Sequence, residues 1–154
     1  MKMQKIFTFI VLSLLIVTLI FIFSNSLEPV AESAKKSQYT MNRFAPFLGI
    51  VFGKGSVTEN LVRKIAHFAE FTVLGSELLL LVAVNRRVRL QSISNCLFFG
   101  LIAALTDESI QMLTDRSPEV KDILLDFSGV LTGVLIILFL NFLTAHIKAK
   151  QQKT

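Results

Sequence analysis

The run IFTFIVLSLLIVTLIFIF, residues 6–23, contains no charged residue, no proline and no glycine. A helix needs about 20 apolar residues to cross a bilayer, where no water is present to satisfy backbone N–H and C=O groups. Such a run constrains the chain more than any other feature. Three further segments have comparable length: 65–84, 93–113 and 123–143. The second contains His67, Glu70 and Glu77, and the third contains Asp107 and Glu108. A mean hydropathy of +0.63 and a 53% share of hydrophobic residues agree with lipid rather than water as the main solvent. The expected fold class is all-α, an integral membrane four-helix bundle in one domain, 1–154. An extracytoplasmic loop is expected between the first and second helices.

The net charge of +5 does not point to nucleic acid, because in a membrane protein flanking Lys and Arg more often set orientation. Lys2 and Lys5 precede the first span, Arg86, Arg87 and Arg89 fill the turn after the second, and Lys148, Lys150 and Lys153 follow the fourth. With four spans these clusters share one face, which places both termini in the cytoplasm and the chain in the plasma membrane. MKMQK resembles the basic start of a signal peptide. Its apolar run exceeds the usual length of about 7–15 residues, so an uncleaved anchor is expected. Cleavage would remove one helix and leave the rest unchanged. Cys96, the single cysteine, is expected to be a buried, inert thiol.

In the connection 24–64, Pro29, Pro46, Gly49, Gly53 and Gly55 are expected to break any continuous helix. The apolar patch 44–52 is too short to span and suits the outer interface. SVTE, 56–59, has the spacing of a capping box, with Ser56 as N-cap of a helix that starts near Val57.

Helical rise brings the polar residues to one level. Counting 1.5 Å per residue from the outer boundary, Glu70 lies about 7 Å deep, Asp107 about 9 Å and Asp126 about 5 Å. His67 and Glu70 share a face, as do Asp107 and Gln111, with Glu108 beside them. Asp122, Asp126, Gly129 and Gly133 lie within about 60° of arc. The GxxxG of Gly129 and Gly133 permits close helix approach, so the aspartates face protein rather than lipid. Arg63, Lys64, Arg116 and Lys121 are the basic partners at this level. Asp115 and Glu119 flank a turn and are expected to be solvated, and His146 is expected at the interface.

At RKIAHFAEFTVLG and LTDESIQMLTDRSPEVKDILLDFSGVLTG the sequence resembles the VanZ-like family of small bacterial membrane proteins. Lys64, His67, Glu70 and Gly75 carry the first block, and Asp107, Glu108 and Gln111 the second. Arg116, Asp122, Asp126, Gly129 and Gly133 carry the third, and Ser24 and Ser26 match weakly. The family is named for a protein linked to resistance to teicoplanin, a lipid-tailed glycopeptide antibiotic that acts on lipid II. The resemblance implies a role at the cell envelope and brings no catalytic mechanism with it.

Three functions fit these residues. The favoured one is a binding module, in which Arg63, Lys64, His67, Glu70, Asp107, Glu108, Gln111, Arg116, Lys121, Asp122 and Asp126 line a site for a membrane lipid, lipid II or a lipoglycopeptide. It requires no cofactor and is compatible with an oligomer. The second is an intramembrane metal-dependent hydrolase, with His67, Glu70, Asp107, Glu108, Asp122 and Asp126 as catalytic or metal-holding candidates. Against it, a lone helix histidine is more often a hydrogen-bonded core residue, and the nearby basic groups repel a cation. The third is a structural clasp of ion pairs at the outer helix ends.

Overall fold

The computed structural model describes residues 2–52, 57–85, 88–114 and 119–151. These form α1 (Lys2–Ser26), α2 (Val30–Phe52), α3 (Glu59–Asn85), α4 (Leu90–Gln111, continued by a 3-10 turn, Met112–Thr114) and α5 (Val120–Gln151). Among the described residues there is no strand, and α1, α3, α4 and α5 are each long and apolar enough to cross a membrane. Each encloses one of the expected spans. Phe9, Ile16, Phe98, Leu135 and Phe139 point outward from these helices, an arrangement suited to contact with lipid chains.

Two layers of apolar side chains hold the bundle together. One joins Ile22, Phe71, Leu74, Ala104 and Val130, drawn from all four long helices. The other joins Leu79, Cys96, Val134 and Ile137. Cys96 is thus a buried free thiol, as expected.

The most extensive pairing is between α3 and α5. It depends on glycine because backbone meets backbone. A Cβ on Gly129 would lie 2.6 Å from the Phe68 carbonyl oxygen, and one on Gly133 would lie 2.6 Å from the Ser76 amide nitrogen and run into the Thr72 carbonyl oxygen. The Ser76 hydroxyl donates within its own helix to Thr72 O at 2.8 Å and lies 3.3 Å from Gly133 O across the interface. The GxxxG on α5 is therefore the closest-packed stretch of that helix, and it fixes which face of α5 looks inward.

The first helix runs antiparallel to α3. Gln4 Nε2 donates to Val84 O at 2.9 Å, and Thr8 Oγ1 donates to Asn85 Oδ1 at 2.9 Å. The start of α1 and the end of α3 therefore share one end of the bundle, and the end of α1 reaches the opposite one.

The connection 24–64 differs from expectation. It holds a 23-residue amphipathic helix, α2, that continues through Pro46 and Gly49 and packs on α3. Pro29 does mark a boundary, since its carbonyl accepts the first α2 hydrogen bonds, from Glu32 and Ser33. An interior proline removes one backbone hydrogen bond. In α2 the amphipathic pattern and the contact with α3 outweigh that loss. Helix α3 begins at Glu59 rather than Val57, and the capping side chain is Thr58, whose Oγ1 accepts the Leu61 N–H at 3.2 Å. The expected N-cap, Ser56, lies outside the described residues, as do Gly53 and Gly55.

Candidate functional site

At the end of the bundle where α1 finishes, four helices place polar side chains in the interior. Asp107 on α4 is fully buried and satisfied on both oxygens. The Ser26 hydroxyl donates to Oδ1, and Gln111, one turn on, donates Nε2–H to Oδ2 at 2.8 Å. Thr114 in the 3-10 turn donates to Gln111 O at 2.9 Å and lies 3.5 Å from Ser26 O, so the ends of α1 and α4 are held together.

His67 on α3 sits between two acids. Its Nδ1 is 3.6 Å from Asp107 Oδ2 and 3.8 Å from Asp126 Oδ1. Asp126 on α5 is 1% exposed, and its Oδ1 has no hydrogen-bond partner among the described residues. The three side chains each offer a ligand atom within 4.8 Å of the others. Helical rise predicted a common level for Glu70, Asp107 and Asp126, with His67 on the face of Glu70, and the packing of α5 on α3 through Gly129 supplies the common face.

Glu70 lies one turn along α3 from His67. Asn25 donates Nδ2–H to its Oε1 at 3.1 Å, while Oε2 is buried without a partner among the described residues. His67 and Glu70 form the inner wall of an open cavity of about 260 Å³ between α1, α2 and α3. Arg63, Lys36, Ser37 and Thr40 also line this cavity, and Lys36 pairs with Glu28 at its edge. A smaller recess of about 10 Å³ lies between Arg63, Lys64, His67, Gln111, Asp122 and Asp126. That space is on the order of one water molecule. His67 and Arg63 border both spaces.

The remaining expected residues divide. Lys64 donates to Asp122 Oδ1 at 2.7 Å, a pair about one-third exposed that joins the first turns of α3 and α5. Glu108 is buried, but it does not face His67: its Oε1 accepts the Glu119 N–H at 2.6 Å, at the start of α5. A carboxylate there meets the positive end of the helix dipole, so Glu108 serves as an anchor for α5. Lys121 is exposed on the first turn of α5 and borders neither space. Arg116 and Asp115 lie outside the described residues, and the Glu119 side chain is exposed as expected. Glu77, at mid-span, accepts from Thr18 Oγ1 at 3.1 Å, and His146 is exposed and stacks on Phe142.

Sequence reading passed over Asn25 and gave Ser26 only a weak match. The signal was present, because the polar triplet Ser24–Asn25–Ser26 directly follows an uncharged apolar run. Counting helical rise along α1 as well would have placed it at the level of the acids. Its position also corrects one expectation: loss of α1 would not leave the rest unchanged, since Asp107, Glu70 and Glu77 would each lose a hydrogen-bond donor.

The Ser26 hydroxyl donates to Asp107, with His67 on the other oxygen. The order serine–aspartate–histidine differs from a catalytic triad, in which the imidazole itself accepts the serine proton.

The family model described as VanZ/LLP1 matches residues 9–141. The chain belongs to the VanZ/LLP1 family. The match takes in all of α3 and α4, and with them His67, Glu70 and Asp107, together with Asp126 on α5 and Asn25 and Ser26 at the end of α1. No curated protein and no solved structure matches this VanZ/LLP1 chain.

Proposed function

We propose that this multi-pass membrane protein binds the phosphate-bearing headgroup of a cell-envelope lipid at the outer leaflet of the plasma membrane. The observation that carries the reading is the cavity of about 260 Å³ between α1, α2 and α3, with Arg63 and Lys36 among its lining and Glu70 and His67 on its inner wall. Guanidinium presents a planar fork that donates two hydrogen bonds to one phosphate, and a nearby ammonium adds a compact charge. Ser33, Ser37 and Thr40 supply hydroxyls for the sugar or glycerol part of a headgroup. The amphipathic α2 roofs the cavity and suits the membrane–water boundary, where acyl chains stay in lipid while the headgroup turns inward.

The side of the membrane follows from charge. The cavity lies at the end of the bundle opposite Lys2 and Lys5, and Lys148 and Lys150 close the last turn of α5. Basic flanks favour the cytoplasm, which supports a reading with both termini inside and the cavity outside. A lipid II-type headgroup or a lipoglycopeptide is the ligand class that joins this geometry to the resistance after which VanZ is named.

Native mass spectrometry of the detergent-purified protein tests the reading. A phosphate-bearing lipid retained by the natural protein and lost from Arg63→Ala and Lys36→Ala variants is the expected result. Equal retention by all three, or retention of neutral lipid alone, would overturn it.

A further inference from the structure

We infer that His67, Asp107 and Asp126 form a binding site for one divalent transition-metal cation of the Zn²⁺ or Mn²⁺ class. The site is distinct from the headgroup cavity, although His67 belongs to both.

Three observations support it. The first is geometry. Zn²⁺ held at about 2.0–2.2 Å in a tetrahedral site has ligand atoms about 3.3–3.6 Å apart. His67 Nδ1 lies 3.6 Å from Asp107 Oδ2 and 3.8 Å from Asp126 Oδ1. All three ligand atoms lie within 4.8 Å of one another, and both histidine separations exceed the length of an N–H···O hydrogen bond.

The second observation is the buried oxygen. Asp126 Oδ1 has no hydrogen-bond donor among the described residues, is 1% exposed as a residue, and faces the histidine nitrogen. Buried carboxylates are normally paired, hydrogen-bonded or coordinated to metal. Lys64, the nearest lysine along α3, is already bonded to Asp122. A divalent ion held there would balance the charge of two carboxylate ligands.

The third is the support behind the ligands. Asp107 is oriented by Ser26 on one oxygen and Gln111 on the other, the outer-shell bonding that fixes a ligating carboxylate. One nitrogen with two oxygens is a mixed donor set. It suits Zn²⁺ or Mn²⁺ better than Ca²⁺, which takes six to eight oxygens, or Mg²⁺, which keeps most of its waters. Three protein ligands leave further coordination positions for water or an anion.

The experiment is metal analysis of the full chain in detergent, stripped with chelator and then reloaded with Zn²⁺ or Mn²⁺. Folding is monitored by protection of Cys96 from a thiol-reactive dye. About one ion per chain, with a saturable rise in unfolding temperature, is expected for the natural protein. Asp126→Asn and His67→Gln should lose the ion, and Gln111→Leu should weaken affinity by about 10–100-fold, the usual outer-shell effect. Arg63→Ala should keep the ion, so loss of lipid retention in that variant bears on the headgroup reading alone. Substoichiometric metal with no thermal response in the natural protein would overturn the inference, whatever the variants do. So would full metal in Asp126→Asn and His67→Gln, which would place the ion elsewhere.

Discussion

Replacing Gly133 by alanine tests the helix pairing on which the site depends. The added methyl would lie 2.6 Å from the Ser76 amide nitrogen and 2.9 Å from its hydroxyl, besides meeting the Thr72 carbonyl oxygen. Two of these three atoms are backbone, so the contact is relieved only if α5 moves away from α3. Overpacking of this kind costs about 1–3 kcal/mol. Even 1–2 kcal/mol changes a folded-to-unfolded ratio by about 5–30-fold. The chain carries its own reporter: Cys96 is the only cysteine and is 4% exposed, between α3, α4 and α5. Reaction with a thiol-specific fluorophore during heating therefore follows opening of the bundle. Gly133→Ala should react at lower temperature than the natural protein, and Thr72→Ala should not restore it, because truncating a side chain leaves the carbonyl in place. Gly100→Ala provides the contrast. The three atoms its Cβ would meet first all belong to the Val130 side chain, so Val130→Ala should offset part of its effect in a double-mutant cycle. If Gly133→Ala reacts as slowly as the natural protein, α3 and α5 do not pack as described and the shared face of His67 and Asp126 loses its basis.

Other substitutions separate the roles of the remaining groups. Lys64→Gln should change stability by no more than about 1 kcal/mol, because its pair with Asp122 is partly exposed; a larger loss in the same thiol assay would restore the clasp reading. Asp107→Asn should cost about 1–3 kcal/mol, since an amide accepts on one oxygen only while Ser26 and Gln111 both donate; unchanged unfolding would contradict the bonding described. Glu108→Leu should speed amide hydrogen exchange over the first turn of α5, from Glu119 onward, where its carboxylate accepts the backbone N–H. Thr58→Ala should cost about 0.5–2 kcal/mol and loosen the start of α3, seen as faster exchange at Leu61.

The four spans were legible because apolar length is a one-dimensional property, and α1, α3, α4 and α5 each enclose a predicted segment. The meeting of His67, Asp107 and Asp126 was legible for a related reason: rise per residue gives depth, and Gly129 and Gly133 mark the inward face of α5. Helix α2 was not. Pro46 and Gly49 lower local helix propensity, whereas the amphipathic face that packs on α3 is a tertiary effect. Glu108 neighbours Asp107 in sequence but bonds a different element. Adjacent helical residues differ by about 100°, which turns Glu108 toward the start of α5 and away from the histidine. Asn25 was missed and Ser26 matched only weakly because uncharged polar residues at the end of an apolar helix look like a simple boundary.

The bond between Ser26 and Asp107 joins residues 81 positions apart, and Asp126 follows later still. During synthesis α1 and α3 therefore reach the bilayer before Asp107 and Asp126 have been made. Asn25 can bond Glu70 once α3 is in place, whereas Ser26 and His67 meet Asp107 and Asp126 only when α4 and α5 arrive. Asp107 enters the bilayer at lower cost where Ser26 already stands to donate to it. The polar cluster is thus complete only when α4 and α5 have both packed on α1 and α3. A chain ending before α5 would hold Ser26, His67 and Asp107 without the Asp126 that faces the histidine in the complete bundle.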